Sequence, residues 1–191
     1  TSLFIFDASE HVSDQDMKIR SLEVLDAMDA LENRIEEVAY TNTTSLITFL
    51  EAVPVTIAEP ESGITLYNGN LWGLLHDECW ESNSLECAAW VPLDALSNPP
   101  GNGREELRKD MVNVAYDTLS KEVQWMLTNV DGSKALVYVT QPYMNLDNAS
   151  MLRDDIDLML DDPMEEQGIR VSPLTGGLPV SLHINEGIHD T

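Results

Sequence analysis

The stretch SKALVYVTQPY, residues 133–143, contains six consecutive apolar or β-branched residues and directly follows Asp131-Gly132. Residues of these types favour strands, and an Asp-Gly pair favours a turn. We therefore predict a buried strand that begins just after a turn. A strand of this kind needs partners, and the segments on either side of it supply them.

Three further segments are short and rich in apolar or β-branched residues, which is typical of strands. They are TSLFIFDA (1–8), VAYTNTT (38–44) and GIRVSPL (168–174). If the first and last of these pair with the 133–143 segment, residues 2–7, 135–140 and 169–174 lie in one sheet.

Two long segments between these strands repeat apolar residues every three or four positions, as amphipathic helices do. The first covers residues 13–38, with Ser13 as the predicted N-cap and Asp16 at the capping-box position three residues later. Its predicted apolar face consists of Leu22, Leu25, Met28, Leu31, Ile35 and Val38. The second segment, residues 149–162, has its apolar face at Leu152, Ile156 and Met159.

The order strand, helix, strand, insertion, strand, helix, strand predicts an α+β fold. We expect a ferredoxin-like split β-α-β core, in which two helices pack on an antiparallel sheet. Residues 1–52 form the first half of this core, 53–119 a partly helical insertion subdomain, and 120–191 the second half. In this topology the first and last strands are antiparallel neighbours, so such a domain can be inserted into a loop of another protein.

The predicted insertion differs in composition from the two halves of the core. SLITFLEAV (45–53) favours a short helix that Pro54 stops, and residues 54–103 are predicted to form a long irregular loop. Helical spacing resumes after SNPPGNG (97–103), through Leu107, Met111, Val114, Thr118 and on to Trp125. Three further tryptophans lie within the insertion, at positions 72, 80 and 90.

Charge excludes several classes of partner. The net charge is -24, from 34 acidic and 10 basic residues. With no basic patch to neutralise phosphates, the sequence argues against nucleic acid and against docking on an anionic membrane surface. The densest acidic stretch, residues 153–166, is interpreted as a solvated surface, with attraction of cations or basic partners as the alternative. No run of 18 apolar residues occurs.

No group of residues matches a catalytic, cofactor or metal motif. His11, His76, His183 and His189 form neither HExxH nor a His–Cys cluster with zinc spacing. No Gly-x-Ser-x-Gly elbow is present, and the Gly-Gly pair at 176–177 lacks the pattern of a phosphate loop. We therefore expect a non-enzymatic protein without cofactor or metal, and interpret Gly-Gly as a bend after the last strand.

The two cysteines, Cys79 and Cys87, are separated by seven residues. In an oxidising compartment they would form a disulfide that closes a small ring, and in a reducing one they would be free thiols. The spacing does not match a CxxC redox or zinc pair. Sequons at Asn42 and Asn148 permit glycosylation outside the cell.

The segments DGSKALVYVTQPYMNLDNASMLRDDIDLML (131–160) and VSPLTGGLPVSLHINEGIHDT (171–191) resemble part of a known family. They look like the extracytoplasmic loop domain of archaeal exporters of the resistance-nodulation-division superfamily, in the branch related to the mycobacterial membrane protein large and patched-like transporters. The opening, LFIFDA (3–8) and LEVLDAMDALENRIEEVAYTNTTSLITFL (22–50), is similar too. The resemblance covers residues 1–52 and 120–191, and its most specific element is Gly-Gly-Leu-Pro-Val at 176–180.

The resemblance implies a porter-like, non-catalytic domain in an extracytoplasmic loop, at the cell exterior, that contributes to passage or binding of hydrophobic or amphiphilic substrates. The family couples export to proton entry through acidic residues of membrane helices that this chain does not contain. The segment from Val180 onward is expected to be the neck of such a helix, and the chain is expected to be excised from a longer protein. The implied partners are its own transmembrane domain, sister subunits, and lipophilic small molecules or lipids.

If this interpretation holds, an apolar groove in the insertion is the expected substrate site. The candidate contact residues are Tyr67, Leu71, Trp72, Trp80 and Trp90. The alternative is that these aromatic side chains form the insertion's own core. A second hypothesis is a structural or assembly domain that binds a sister subunit or partner protein, including the protein-translocation branch of the superfamily. A hydrolase is the third hypothesis, and no motif supports it.

Overall fold

The computed structural model describes residues 1–12, 17–38, 41–59, 61–80, 102–141, 146–161 and 167–176. The helices are α1 (Leu22–Glu36), α2 (Leu46–Ala52), α3 (Leu71–Leu75), α4 (Asn102–Thr118), α5 (Lys121–Leu127) and α6 (Leu146–Leu160). The strands are β1 (Ser2–Asp7), β2 (Asn42–Thr44), β3 (Pro54–Ala58), β4 (Thr65–Asn70), β5 (Lys134–Thr140), β6 (Arg170–Val171) and β7 (Thr175–Gly176). This mixture of helices with antiparallel sheets confirms the predicted α+β class.

The chain divides into two compact units. The first consists of Thr1–Leu46 together with Lys121–Thr191, and the second of Ile47–Ser120. The predicted insertion, residues 53–119, falls inside the second unit. Each unit has its own sheet, because β3 and β4 pair only with each other among the described strands.

The sheet of the first unit is built around β1. One edge of β1 pairs with β5, which in turn pairs with β2, and the other edge pairs with β6 and β7. All these pairings are antiparallel. The segments predicted to share one sheet, residues 2–7, 135–140 and 169–174, therefore do so. The ferredoxin-like arrangement of the core stays a prediction.

The core of the first unit follows from strand alternation, which sends every second side chain to the same face. Phe4 lies opposite Val137, and Phe6 lies opposite Ala135, so these four buried side chains share one face of the sheet. Helices α1 and α6 contact each other. Their buried apolar residues are Val24, Leu25, Met28, Leu31, Ile35, Ala149, Leu152, Ile156 and Leu160.

The first long helix begins later than predicted. Helix α1 starts at Leu22 with Ser21 in the N-cap position, after a separate 3₁₀ turn at Lys18–Arg20. Lys18 has a positive φ of 45°, which a continuous helix does not tolerate. The prediction of Ser13 as the cap is therefore wrong for this helix, and residues 13–16 lie outside the described residues.

The prediction of an irregular loop over residues 54–103 is wrong for its first part. Strands β3 and β4 form an antiparallel hairpin, and Gly63, with φ of 69°, lies in the turn between them. Helix α3 follows at once, and a 3₁₀ turn covers Glu78–Trp80. The remainder of the predicted loop, residues 81–101, lies outside the described residues.

The predicted helical stretch that ends at Trp125 is in fact two helices. Helix α4 ends at Thr118, in the second unit. Helix α5 begins at Lys121, in the first unit. Among the described helices, none has both the length and the apolarity that a bilayer crossing requires.

The bend predicted at Gly176-Gly177 is only partly described, because Gly176 belongs to β7 and Gly177 lies outside the described residues. Gly176 has a φ of 110° and lies opposite Ser2, where an added Cβ atom would be 3.0 Å from the Ser2 Cα. Only glycine suits this combination of backbone angle and close approach. Residues 177–191, including the predicted neck, lie outside the described residues.

Candidate functional site

The second unit contains an open groove of about 430 Å³. Eight of its ten lining residues are apolar, and Asp110 and Thr118 are the other two. Its walls come from three places in the chain: the start of the β3 hairpin, with Val53 and Val55, helix α3, and helix α4. All of them belong to the second unit.

Helix α4 turns its apolar stripe to the groove. The groove-lining residues of that stripe, three or four positions apart, are Leu107, Met111, Val114 and Thr118. Lys109 and Val112, on the opposite face of the helix, are buried. Val114 remains 63 % exposed. An apolar stripe normally faces a core, so one left open to solvent marks a surface that can bind something apolar.

Helix α3 contributes Leu71 and Leu74 to the groove, and its position is fixed at its first residue. The Asn70 side-chain Oδ1 accepts a hydrogen bond from the Gly73 N–H at 2.7 Å, as an N-cap does. The Leu71 N–H donates to the Val53 carbonyl at 2.9 Å. The first bond caps α3, and the second attaches the α3 wall of the groove to Val53, just before β3.

Tyr67 packs against the junction between β4 and α3. Its hydroxyl donates to the Asn70 carbonyl at 2.8 Å. A Cβ atom added at Gly69 would lie 2.6 Å from this hydroxyl, and one at Gly73 would lie 3.0 Å from it. Burial and the nearby charge of Asp77 raise the pKa of Tyr67, against the opposing effect of its hydrogen bond to Asn70. The hydroxyl thus stays protonated and acts as a donor.

Buried aromatic residues hold the other end of α3. Trp80 is 2 % exposed, and its Nε1 donates to the Leu74 carbonyl at 2.6 Å. Arg108 of α4 donates from Nη1 to the Leu75 carbonyl at 3.3 Å. Trp72 is also buried, and its ring centroid lies 4.4 Å from that of His76.

The five candidate contact residues therefore have different positions. Leu71 lines the groove, whereas Trp72 and Trp80 are buried and Tyr67 is half-buried at the β4–α3 junction. Trp90 lies outside the described residues. The α4 residues that line the groove are not among these five candidates, although their helical spacing is visible in the sequence.

The predicted modification sites are only partly described. Cys79 lies in the 3₁₀ turn Glu78–Trp80, whereas Cys87 lies outside the described residues, so their pairing stays a prediction. Asn42 and Asn148 are both exposed. In the first sequon, the Thr43 hydroxyl donates to Glu36 at 2.7 Å.

In the part of the chain that the structure describes, no group of three or more His, Cys, Asp or Glu is placed to hold a metal ion. His11 is buried in the first unit, with Nδ1 2.7 Å from the Gln167 carbonyl oxygen and Nε2 3.5 Å from a Glu23 carboxylate oxygen. These contacts give His11 a structural part, tying the end of β1 to α1 and to the segment before β6.

No family model, no curated protein and no solved structure matches this chain. The resemblance to exporter loop domains therefore rests on the sequence segments alone. The groove is the structural feature that indicates a function.

Proposed function

We propose that the chain is a non-catalytic, extracytoplasmic domain of an exporter of the resistance-nodulation-division type. In this proposal the groove of the second unit holds hydrophobic or amphiphilic molecules on their way through the transporter. The observation that carries the proposal is the open apolar groove, whose volume of about 430 Å³ falls in the range of small-molecule sites.

The composition of the groove supports weak and reversible binding. Apolar lining residues bind a ligand because removal of apolar surface from water contributes about 25 cal/mol per Å². Loss of translational and rotational freedom opposes association. The balance of the two favours a site that holds a molecule and then releases it, which suits a step in transport.

The sheet of the first unit supports the placement within a larger transporter. Strand β1 and the β6–β7 edge are antiparallel neighbours, with Ser2 opposite Gly176. A domain with this arrangement suits insertion into a loop between two membrane helices, because the chain enters and leaves on the same side. The partner implied by the proposal is the transmembrane domain of the same protein.

The binding part of the proposal is tested with N-phenyl-1-naphthylamine, a neutral dye that fluoresces in apolar surroundings. Val114 is exposed and lines the groove, so Val114→Asp places a charge there without disturbing a packed core. The matched control is Val130→Asp, since Val130 is 96 % exposed and lies in the first unit. We expect Val114→Asp to weaken dye binding at least about tenfold, the effect of about 1.4 kcal/mol, and Val130→Asp to leave it unchanged.

Two outcomes would contradict a binding site in the groove. If the wild-type protein gives no saturable fluorescence increase, or if both variants bind the dye as it does, the groove does not hold apolar ligands. The assignment to an exporter is tested separately, by reading the coding sequence beyond residue 191. There the proposal expects an apolar run of about 20 residues, and its absence contradicts the transporter assignment.

A second candidate function, assembly with a sister subunit or partner protein, is favoured by helix α5. Trp125 and Met126 are adjacent and 64 % and 59 % exposed. Exposed aromatic and methionine side chains are enriched at protein interfaces. Size-exclusion chromatography with light scattering tests this candidate. A stable oligomer that dissociates in the Trp125→Ser variant supports it, and a monomer at all concentrations counts against self-association.

A further inference from the structure

We infer that the groove selects amphiphiles with a cationic headgroup, an inference that rests on the proposed function and names its ligand class. Asp110 is the single charged residue among those that line the groove. Apolar lining residues provide for a hydrocarbon chain of any headgroup, so the carboxylate is the element that can discriminate between ligands.

Asp110 is placed beside the apolar stripe of α4. It follows Leu107 by three positions and precedes Val114 by four, and residues so spaced are neighbours on a helix surface. All three line the groove. A ligand whose chain packs on Val114 can therefore place its head beside the Asp110 carboxylate.

The basic side chains near Asp110 are directed elsewhere. Lys109 is buried, with Nζ 3.5 Å from a Glu105 carboxylate oxygen and 3.3 Å from one of Glu106. Arg108 donates to the Leu75 carbonyl and lies over the Trp80 ring. Within the described residues, the ion pairs do not include Asp110. Its charge thus remains available to a ligand.

The overall charge of the protein makes a control essential. A net charge of -24 attracts every cationic molecule to the surface, whichever site it then occupies. The preference that we infer comes instead from one carboxylate, Asp110, in one groove. The test must therefore change the charge at Asp110 and, separately, make the same change in net charge at a distant position.

The experiment measures displacement of N-phenyl-1-naphthylamine by three amphiphiles with alkyl chains of closely similar length, each below its micelle-forming concentration. They are dodecyltrimethylammonium, dodecyl maltoside and dodecanoate, which carry a cationic, a neutral and an anionic head. The proteins are the wild type, Asp110→Asn and the control Asp155→Asn. Asp155 is exposed on helix α6 of the first unit, so its substitution alters net charge equally without touching the groove.

We expect dodecyltrimethylammonium to displace the dye from the wild type at the lowest concentration. Asp110→Asn should raise that concentration about fivefold, the effect of a partly exposed ion pair, and should leave dodecyl maltoside unaffected. Asp155→Asn should behave as the wild type does. If Asp110→Asn retains the full preference for the cationic head, the overall field causes it and the inference is overturned, while dye binding that depends on Val114 still supports the proposed function. If the wild type binds no dye, the proposed function fails and the inference fails with it.

Discussion

The Arg108 guanidinium lies over the indole of Trp80, with its central carbon 5.7 Å from the ring centroid. The same side chain donates a hydrogen bond to the Leu75 carbonyl, and Trp80 donates one to the Leu74 carbonyl. An arginine of α4 and a buried tryptophan thus hold the backbone at the end of α3. Since Leu71 and Leu74 of α3 line the groove, this contact supports its wall.

Arg108→Ala should destabilise the protein by about 2 kcal/mol, because it removes a cation–π contact and a charged hydrogen-bond donor. Urea denaturation followed by far-ultraviolet circular dichroism measures the effect. The matched control is Arg153→Ala, since Arg153 pairs with the adjacent, exposed Asp154 and its loss should change stability by less than about 1 kcal/mol. If the two substitutions lower stability equally, the contacts of Arg108 do not stabilise the end of α3.

Gly168 has a φ of 72° and lies against Glu10 and His11, in the segment that follows β1. A Cβ atom there would be 2.6 Å from the Glu10 carbonyl oxygen and 2.8 Å from the His11 nitrogen. Gly132 has a similar φ of 66°, but nothing lies within 4 Å of its added Cβ. Gly132→Ala should therefore lower stability by about 1 kcal/mol through backbone strain alone. Gly168→Ala adds a steric clash, so its loss should be at least about 2 kcal/mol.

Thermal denaturation separates the two glycine variants, because about 1 kcal/mol shifts the Tm of a chain of this size by about 2–4 °C. We expect the Tm of Gly168→Ala to fall at least twice as far as that of Gly132→Ala. The same decrease for both would mean that the segment before β6 moves away from Glu10 at little cost.

Asp7 gives the first unit part of its acid sensitivity. Partial burial opposes ionisation, but hydrogen bonds from the Ser9 hydroxyl and N–H, together with Lys134, lower the Asp7 pKa below its usual 3.8. The Lys134 Nζ lies 3.0 Å from a carboxylate oxygen of Asp7. A lowered folded-state pKa contributes stability that is fully present above pH 3.8 and is lost as the pH falls through the folded-state value.

Asp7→Asn should therefore be less stable than the wild type at neutral pH, and the difference should shrink below about pH 4 as the wild-type carboxylate takes up its proton. Unfolding free energies at a series of pH values between 7 and 3 measure it. A difference that stays constant over this range would show that Asp7 stabilises the fold by packing and not by its charge.

The first unit was largely predictable because its signals are local. The 133–143 segment contains enough β-branched and apolar residues to identify β5, and its alternation identifies the buried side chains Ala135, Val137 and Val139. The start of α1 was not predictable, since the positive φ at Lys18 has no signal in the residue type. The β3–β4 hairpin was missed because Pro54, Gly69 and neighbouring asparagines lower strand propensity, while cross-strand pairing still forms the hairpin.

The groove was harder to predict than the fold. Periodicity identified Leu107, Met111 and Val114 as one face of a helix, but periodicity does not state whether a face packs or stays open. Whether this face packs or stays open depends on the positions of α3 and β3. Neither element was predicted within the insertion. The tryptophans were predicted as contacts because of their size. Trp72, within α3, and Trp80 are buried, and neither lines the groove.

Asn70 connects stability to ligand binding, because it caps the helix that carries Leu71 and Leu74. Asn70→Ala removes the side-chain acceptor for the Gly73 N–H and should cost about 1 kcal/mol. Asn70→Ser keeps an oxygen at the cap and should recover most of that loss. We also expect weaker binding of N-phenyl-1-naphthylamine by the alanine variant and near-normal binding by the serine variant, measured with urea denaturation on the same samples. An alanine variant that loses stability yet binds the dye normally would mean that the groove does not depend on the α3 cap, and that the α4 stripe alone determines binding.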